Sequence, residues 1–360
     1  TVPAEVSLVE LRADLLTPEE AASGGWTTLP AQLPGVEWIF TWRSPREGGG
    51  APRPRGVLAL ALESGFSAVD VEEDELERGE AEASAVPPEK RWVSRHRPDP
   101  PAGPGDLLAE WTALRRRPAA LHKLVVLAQD FRVNDWVLAL GEDARREGAA
   151  PCTLFADGPI GHVSRILGYL RGNAVTYLAT APGEETAGGQ PTIRQALAVY
   201  QLPNLPPDPR LYGVLGARAG ASRSPELHNH AFRLCGERAL YLPLPSPDPA
   251  PVLAWLASGR LRGLSVTMPH KQAVLAAVER LEPGGAAVGA VNTLWIEEGR
   301  VHGANTDLEA AAGALVELKA APGDPVALIG AGGAAAAVLH AAVSLGLDCR
   351  LYNRTPARAE

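Results

Sequence analysis

Lys123 sits at the edge of a run of leucine and valine, LHKLVVLAQD (121–130). A short apolar run of this kind predicts a buried strand, where charged side chains are rare. Either the lysine snorkels to the surface, or its amine is held in an apolar pocket, where burial disfavours the charged form and leaves a nucleophile. Other β-rich runs also finish in ionisable groups: Glu10 and Arg12, Arg43, Glu72 and His96. Each alone reads as a solvated strand end. Together they match the catalytic face that strand C-terminal ends form in a β/α barrel. A second signal lies far along the chain. IGAGGAA places Gly330, Gly332, Gly333 and Ala335 after the strand-like VALI and ahead of a helical pattern. In that setting a GxGxxA turn lets a pyrophosphate approach a helix N-terminus. Where an NAD site carries Asp or Glu, Asn353, Arg354 and Thr355 stand instead. A carboxylate would repel a 2′-phosphate and Arg354 attracts one, so the expected cofactor is NADP.

Composition narrows the partners. The chain has 360 residues and a formal net charge of −8. That balance argues against nucleic acid and against an anionic membrane, so any anionic ligand must be met by local basic groups. Cys152, Cys235 and Cys349 are scattered and odd in number, which suits reduced thiols in a cytoplasmic setting. No Cys–His cluster has metal-ligand spacing, and no metal is expected. The start shows no signal-peptide pattern. The stretch VALIGAGGAAAAVLHAAVSLGL (326–347) is uncharged and long enough to span a bilayer. Its glycine cluster after four apolar residues fits strand–turn–helix better. No pattern specifies an oligomeric state.

The elements that must position these groups follow a β/α alternation. Residues 1–201 contain seven β-like runs, EVSLVELR, VEWIFTWR, SAVDVE, KRWVSRH, HKLVVLA, PCTLFA and NAVTYLA, one fewer than a closed (β/α)8 TIM-type barrel. Amphipathic stretches such as GDLLAEWTALRRR, NDWVLALGEDARREG and GHVSRILGYLRG lie between them. A proline-rich segment, 202–210, reads as a linker. A second α/β domain is expected over 211–312, and the start of a Rossmann nucleotide domain over 313–360. The chain begins at Thr1 without methionine and stops at TPARAE within a helix-like pattern. Both ends read as cut, with a first barrel strand and the rest of the nucleotide domain expected beyond them. A piece so cut is expected to expose hydrophobic surface.

The ordered set ELRADLL, FTWRSPREGG, DVEE, SRHRPDP, LHKLVV, GPIGHVSR and GGQ resembles type I 3-dehydroquinate dehydratase, over roughly residues 5–200. The resemblance implies that Lys123 attacks the ring ketone of 3-dehydroquinate to form an imine, with His96 as general acid and base. It further implies Arg165 as a bidentate clamp on the substrate carboxylate, with Arg43 and Arg12 completing a basic pocket. Glu10 and Glu47 would accept hydroxyl hydrogens or orient His96, and Gln190 would bond the ring. Two departures stand out. HRPDP lacks the aromatic that usually follows the histidine, and FADG replaces a methionine-rich stretch, so that Asp157 adds a charge near the mouth.

From Leu211 onward, GVLGARAGASRSPELHNHAF, LSVTMPHK, GAVNTL, GANTD, IGAGGAAAA and YNRT resemble shikimate dehydrogenase. This implies that Ser222 and Ser224 bond the substrate carboxylate, while Thr267, Asn292 and the dyad Lys271–Asp307 surround the ring hydroxyls. Lys271 would give the proton when hydride reaches the ketone, oriented by Asp307. On its own SRSP fits a helix cap before Pro225 equally well. Ala221 and Ser265 replace a usual histidine and asparagine.

Together the resemblances imply a shikimate-pathway fusion acting on small molecules. It would dehydrate 3-dehydroquinate to 3-dehydroshikimate and reduce that to shikimate with NADPH. One rival is a quinate/shikimate dehydrogenase fusion using NAD, against which Arg354 argues. The other is a metabolite sensor on the same folds, for which Lys123, His96, Lys271 and Asp307 would be unnecessary as reactive groups.

Overall fold

A computed structural model describes residues 3–148 and 150–355, and the chain divides between Asn204 and Leu205 into two units. In the first, six strands pair in chain order, all parallel: β1 (Leu8–Arg12), β2 (Glu37–Thr41), β3 (Ala68–Glu72), β4 (Arg91–Arg97), β5 (Leu121–Leu127) and β6 (Cys152–Asp157). The sheet curls, because side chains from its first and fifth strands meet. Strand side chains alternate between faces, and the register makes the consequence specific. Ile39 pairs with Ala68, Asp70 with Trp92, Trp92 with Leu121, Ser94 with Lys123, and Val125 with Phe155.

One face therefore carries Leu8, Ile39, Ala68, Trp92 and Leu121 as an apolar floor. One step along each strand it carries Glu10, Thr41, Asp70, Ser94 and Lys123. The opposite face packs on helices. Leu124, Val126, Leu154 and Ala156 meet Val133, Val137, Leu140 and Ala144, which recur at helical spacing along Arg132–Arg146. Glu72 is a strand end and also a cap, since its backbone N–H donates to Glu75 at the start of helix Glu73–Glu77.

The seventh expected strand, NAVTYLA, is not a regular strand. Side chains take the bonds a ladder would use: Asn173 bonds both N and O of Leu154, and Thr153 Oγ1 bonds both N and O of Val175. Beyond it, Ala179 makes one isolated parallel bridge with Thr192. The segment still delivers Val175 to the apolar floor and Tyr177 to the cavity above it.

In the second unit a mixed sheet runs in the order β10-β12-β11-β9-β7-β8. Its strands are β7 (Arg210–Gly216), β8 (Ala239–Pro245), β9 (Leu261–Val266), β10 (Arg280–Leu281), β11 (Thr293–Glu297) and β12 (Arg300–Ala304). Helix Thr306–Glu317 runs through position 312. It is followed by a βαβ unit, the parallel pair β13 (Pro325–Ile329) and β14 (Asp348–Tyr352) joined by helix Gly333–Ser344. Residues 326–347 are thus strand, turn and helix. Among the described residues no helix is long and apolar enough to cross a membrane. The helix-like pattern at TPARAE lies largely outside the described residues.

Candidate active sites

A cavity of about 270 Å³ opens at the C-terminal ends of β1–β6. Lys123 lies in it with 4% of its surface exposed, so it does not snorkel. Its Nζ is 3.5 Å from Asp70 Oδ2, 3.6 Å from Glu10 Oε1 and 4.2 Å from the centre of the Tyr177 ring. Asp70 also accepts from Arg43 Nη2 at 3.0 Å and from Ser94 Oγ. Burial would raise its carboxyl, but the Arg43 and Lys123 charges and the Ser94 bond hold it below the ordinary value of 3.8. Glu10 accepts from Thr41 Oγ1 at 2.6 Å. The expected basic pocket is therefore a charge-balanced one. Arg12 pairs with Asp14 at 2.7 Å, and buried Arg43 reaches Asp70, Glu47 and Glu72.

His96 Nδ1 lies 2.8 Å from Glu47 Oε2, which also meets Arg43 Nη1 at 3.1 Å. Burial, followed by the Arg43 and Lys123 charges, pushes His96 well below 6.5, so the ring is neutral at pH 7. Burial outweighs Arg43 at Glu47 and raises it from 4.5 to about 8. The two form one coupled unit, and linkage fixes its effect on stability. Glu47, with a raised folded value, contributes stability that is complete below 4.5 and lost as pH rises to about 8. His96, with a lowered one, contributes stability that is present above 6.5 and lost as pH falls. The trends oppose each other between 4.5 and 6.5, and above 6.5 only the Glu47 loss remains. Urea unfolding should therefore show stability declining from pH 6.5 to 8, and Glu47→Gln should remove that decline; an equal decline in the variant rules the coupling out.

Glu47, Glu72 and Asp74 offer oxygens within 4.8 Å of one another. These groups already engage Arg43, His96, Ser44 and Arg78.

Arg165 is buried, stacks on Phe155 at 4.1 Å and pairs with Asp157 at 2.8 Å. Gln190 lines the same cavity from a loop whose shape it helps fix, accepting from Thr186 N at 3.0 Å. That loop is tied down by His162, whose Nδ1 donates to Gly189 O at 2.8 Å while Nε2 accepts from Tyr200 OH at 2.9 Å. Gly189 has φ +68°, and a Cβ there would lie 2.3 Å from Gly158 O, so only glycine fits. The fold brings together all eight first-unit site residues expected from the sequence: Glu10, Arg12, Arg43, Glu47, His96, Lys123, Arg165 and Gln190. Asp70, Ser94 and Tyr177 join them at the lysine without a motif in the sequence that marks them. In SAVDVE, Asp70 shares a face with Glu72, and that alternation was the available signal.

A second cavity, of about 600 Å³, gathers Ser222, Ser224, Thr267, Lys271, Asn292 and Asp307. Lys271 Nζ donates to Asp307 Oδ2 at 2.5 Å, and Asn292 Nδ2 donates to Asp307 Oδ1 at 2.8 Å. Asn305 caps helix Thr306–Glu317 by accepting from Asp307 N at 3.1 Å, which fixes the aspartate. Ser222 Oγ accepts from Ser224 N at 3.1 Å and bonds Ser224 Oγ at 3.0 Å; the N-cap of helix Ser224–Leu234 is Arg223, which makes no side-chain capping bond, and both serines line the cavity. Ser265 accepts from Tyr241 OH at 2.7 Å.

Gly330 has φ +108°, and a Cβ added at Gly330 or Gly332 would meet open space. Gly333 opens the helix, and a Cβ on it would lie 3.5 Å from Lys271 Cδ. The glycine turn thus reaches the lysine–aspartate dyad. Ala335 lies in the first turn of that helix. Asn353 Nδ2 donates to Thr355 O at 2.7 Å, and Arg354 is exposed beside them.

These features define a curled β/α protein with a buried amine on the inner face of its sheet, followed by an α/β unit with a dinucleotide-type turn. Residues 2–205 match the model of the type I 3-dehydroquinase family, and the chain belongs to that family. Residues 214–294 match the shikimate dehydrogenase substrate binding domain. The bifunctional 3-dehydroquinate dehydratase/shikimate dehydrogenase, chloroplastic, of Arabidopsis thaliana is 29% identical over 285 residues, covering 77% of this chain and 47% of that protein. The shikimate dehydrogenase (NADP(+)) of Oleidesulfovibrio alaskensis is 42% identical over 110 residues, covering 30% of this chain and 38% of that one. A solved structure of dehydroquinate dehydratase and shikimate dehydrogenase from S. pombe AroM covers 98% of this chain and 70% of its own, at 23% identity and a TM-score of 0.45. The chain spans about half the length of the curated relatives it matches.

Proposed function

We propose that the chain carries two consecutive steps of the shikimate pathway: dehydration of 3-dehydroquinate to 3-dehydroshikimate in the first unit, and NADPH-dependent reduction of that product to shikimate in the second. One observation carries the dehydratase assignment: a lysine buried within β5, flanked by two carboxylates, in the cavity that also holds a neutral histidine. Lys123 Nζ adds to the ring ketone, and loss of water leaves an iminium. The positive nitrogen draws electrons from the adjacent carbon, whose proton His96 takes as base. His96 returns that proton to the departing hydroxyl, which leaves as water, and a second water hydrolyses the imine to free Lys123. Asp70 and Glu10 face the cation throughout. Borohydride reduction in the presence of 3-dehydroquinate should add the reduced ligand covalently at Lys123, read by peptide mass spectrometry; an unmodified Lys123 overturns the assignment.

In the second unit the left-handed Gly330, the open space at Gly332 and the helix start at Gly333 fit a pyrophosphate, and Arg354 fits a 2′-phosphate. When bound, NADPH supplies the hydride. Lys271 donates the proton to the ketone oxygen, Asp307 and Asn292 hold it in place, and Ser222 and Ser224 take the carboxylate. Free cysteines suit a cytoplasmic setting. Arg354→Asp should shift the ratio of NADPH to NADH affinity toward NADH by about 10- to 100-fold, the scale on which removing one charge-assisted hydrogen bond acts. Nucleotide fluorescence titration measures the ratio, and an unchanged value refutes the role of Arg354.

A further inference from the structure

The dehydratase assignment gives Arg165 the substrate carboxylate, yet that cation already has an anion. Asp157 Oδ1 lies 2.8 Å from Arg165 Nη2. The Arg165 side chain is 2% exposed and that of Asp157 is 33% exposed. The Phe155 ring covers the guanidinium at 4.1 Å. Arg165 Nε is buried and has no hydrogen-bond partner among the described residues. Phe155, Asp157 and Arg165 all line the cavity that holds Lys123 and His96.

We propose that Asp157 is a specificity-determining residue, an internal carboxylate that holds Arg165 in the empty pocket and competes with the carboxylate of the incoming substrate. The proposal rests on the dehydratase assignment above. A guanidinium offers two forks to a carboxylate, Nε with Nη2 and Nη1 with Nη2. Both run through the nitrogen that Asp157 engages. A ligand carboxylate gains a full fork only by sharing Nη2 with Asp157 or by turning Asp157 out. Exposure decides which partner moves: Arg165 is fixed by burial and by the ring, whereas Asp157 has a path to solvent. Once Asp157 has turned out, the unpartnered Nε–H is the second donor of the fork that the ligand carboxylate takes. A cation buried without a counter-ion is costly, and Asp157 removes that cost before ligand arrives. Binding then exchanges one carboxylate pair for another instead of creating a new one. Affinity for the anion is correspondingly modest, and product release is fast.

Two measurements test this. In the wild-type protein, replacing the substrate carboxylate by a carboxamide should weaken binding by less than about tenfold, because Arg165 keeps Asp157. A loss of about 100-fold or more, as expected for an unopposed buried clamp, overturns the proposal. Asp157→Asn keeps an acceptor for Arg165 and removes the competing charge. It should lower KM for 3-dehydroquinate about tenfold, change kcat by less than about threefold and leave carboxamide binding within about twofold. An unchanged KM, or equal tightening toward acid and amide, also overturns it. Should this variant not fold, the wild-type comparison still decides. Borohydride trapping in the wild type reports on the dehydratase assignment separately: an imine adduct with an unaltered KM in Asp157→Asn refutes the carboxylate competition alone.

Discussion

Lys123→Ala should abolish dehydration of 3-dehydroquinate, lowering kcat by at least about 10⁴-fold, the scale on which removal of a covalent nucleophile acts. No neighbour can substitute. Asp70 and Glu10 are carboxylates, Arg43 keeps its charge and is held by three acids, and His96 is already engaged at Nδ1 by Glu47. Borohydride trapping should yield no adduct. The fold should survive, because Asp70 retains Arg43 and Ser94 when the amine is gone. NADPH binding should be unchanged, since the glycine turn belongs to the other unit. Turnover within tenfold of wild type would remove the Schiff-base mechanism, whatever the trapping experiment shows.

Much of this site was legible in the sequence because barrel chemistry concentrates at strand ends. Glu10, Arg43 and His96 stand at or near the ends of β-rich runs, and Lys123 stands at the start of the run LVVLA. What the runs could not decide was the fate of Lys123, since a snorkelling lysine and a buried one occupy the same place in LHKLVV. The strand register decided it, by setting Ser94 opposite Lys123 and the apolar floor one step below. The charge balance was equally hidden. Arg43 meets Asp70 across 27 positions and Ser94 across 51, so the basic pocket that the resemblance implies for Arg12, Arg43 and Arg165 is one whose arginines are paired with acids in the fold. NAVTYLA departs from its pattern for a similar reason. Its alternation is that of a strand, and the side chains of Thr153 and Asn173 that take its ladder bonds act only once the chain is folded. The glycine turn is legible because strand, turn and helix are contiguous there.

Arg43→Met should destabilise the first unit by about 3–5 kcal/mol, the cost of breaking a buried ion pair by removing one partner. Arg43 is 2% exposed. Its Nη2 meets Asp70 at 3.0 Å, and its Nη1 meets Ser94 at 2.8 Å, Glu47 at 3.1 Å and Glu72 at 3.7 Å. A methionine of similar length fills the space and leaves these acids facing one another with Lys123 as the remaining nearby cation. Against a total stability of about 5–15 kcal/mol, the loss is a large fraction and should lower Tm by about 10 °C or more. Asp70→Asn in the Arg43→Met background should recover part of it, since the orphaned charge and not the missing methylenes carries the cost. The pH dependence gives an independent check. Arg43 is the largest influence opposing the rise of Glu47, which stands at about 8 even with the arginine present. Without it Glu47 moves higher, so the stability lost as pH rises from 6.5 should be greater in the variant and extend beyond pH 8. Urea unfolding at several pH values reads both effects; a variant within about 1 kcal/mol of wild type would show that the acids around Arg43 are solvated rather than buried.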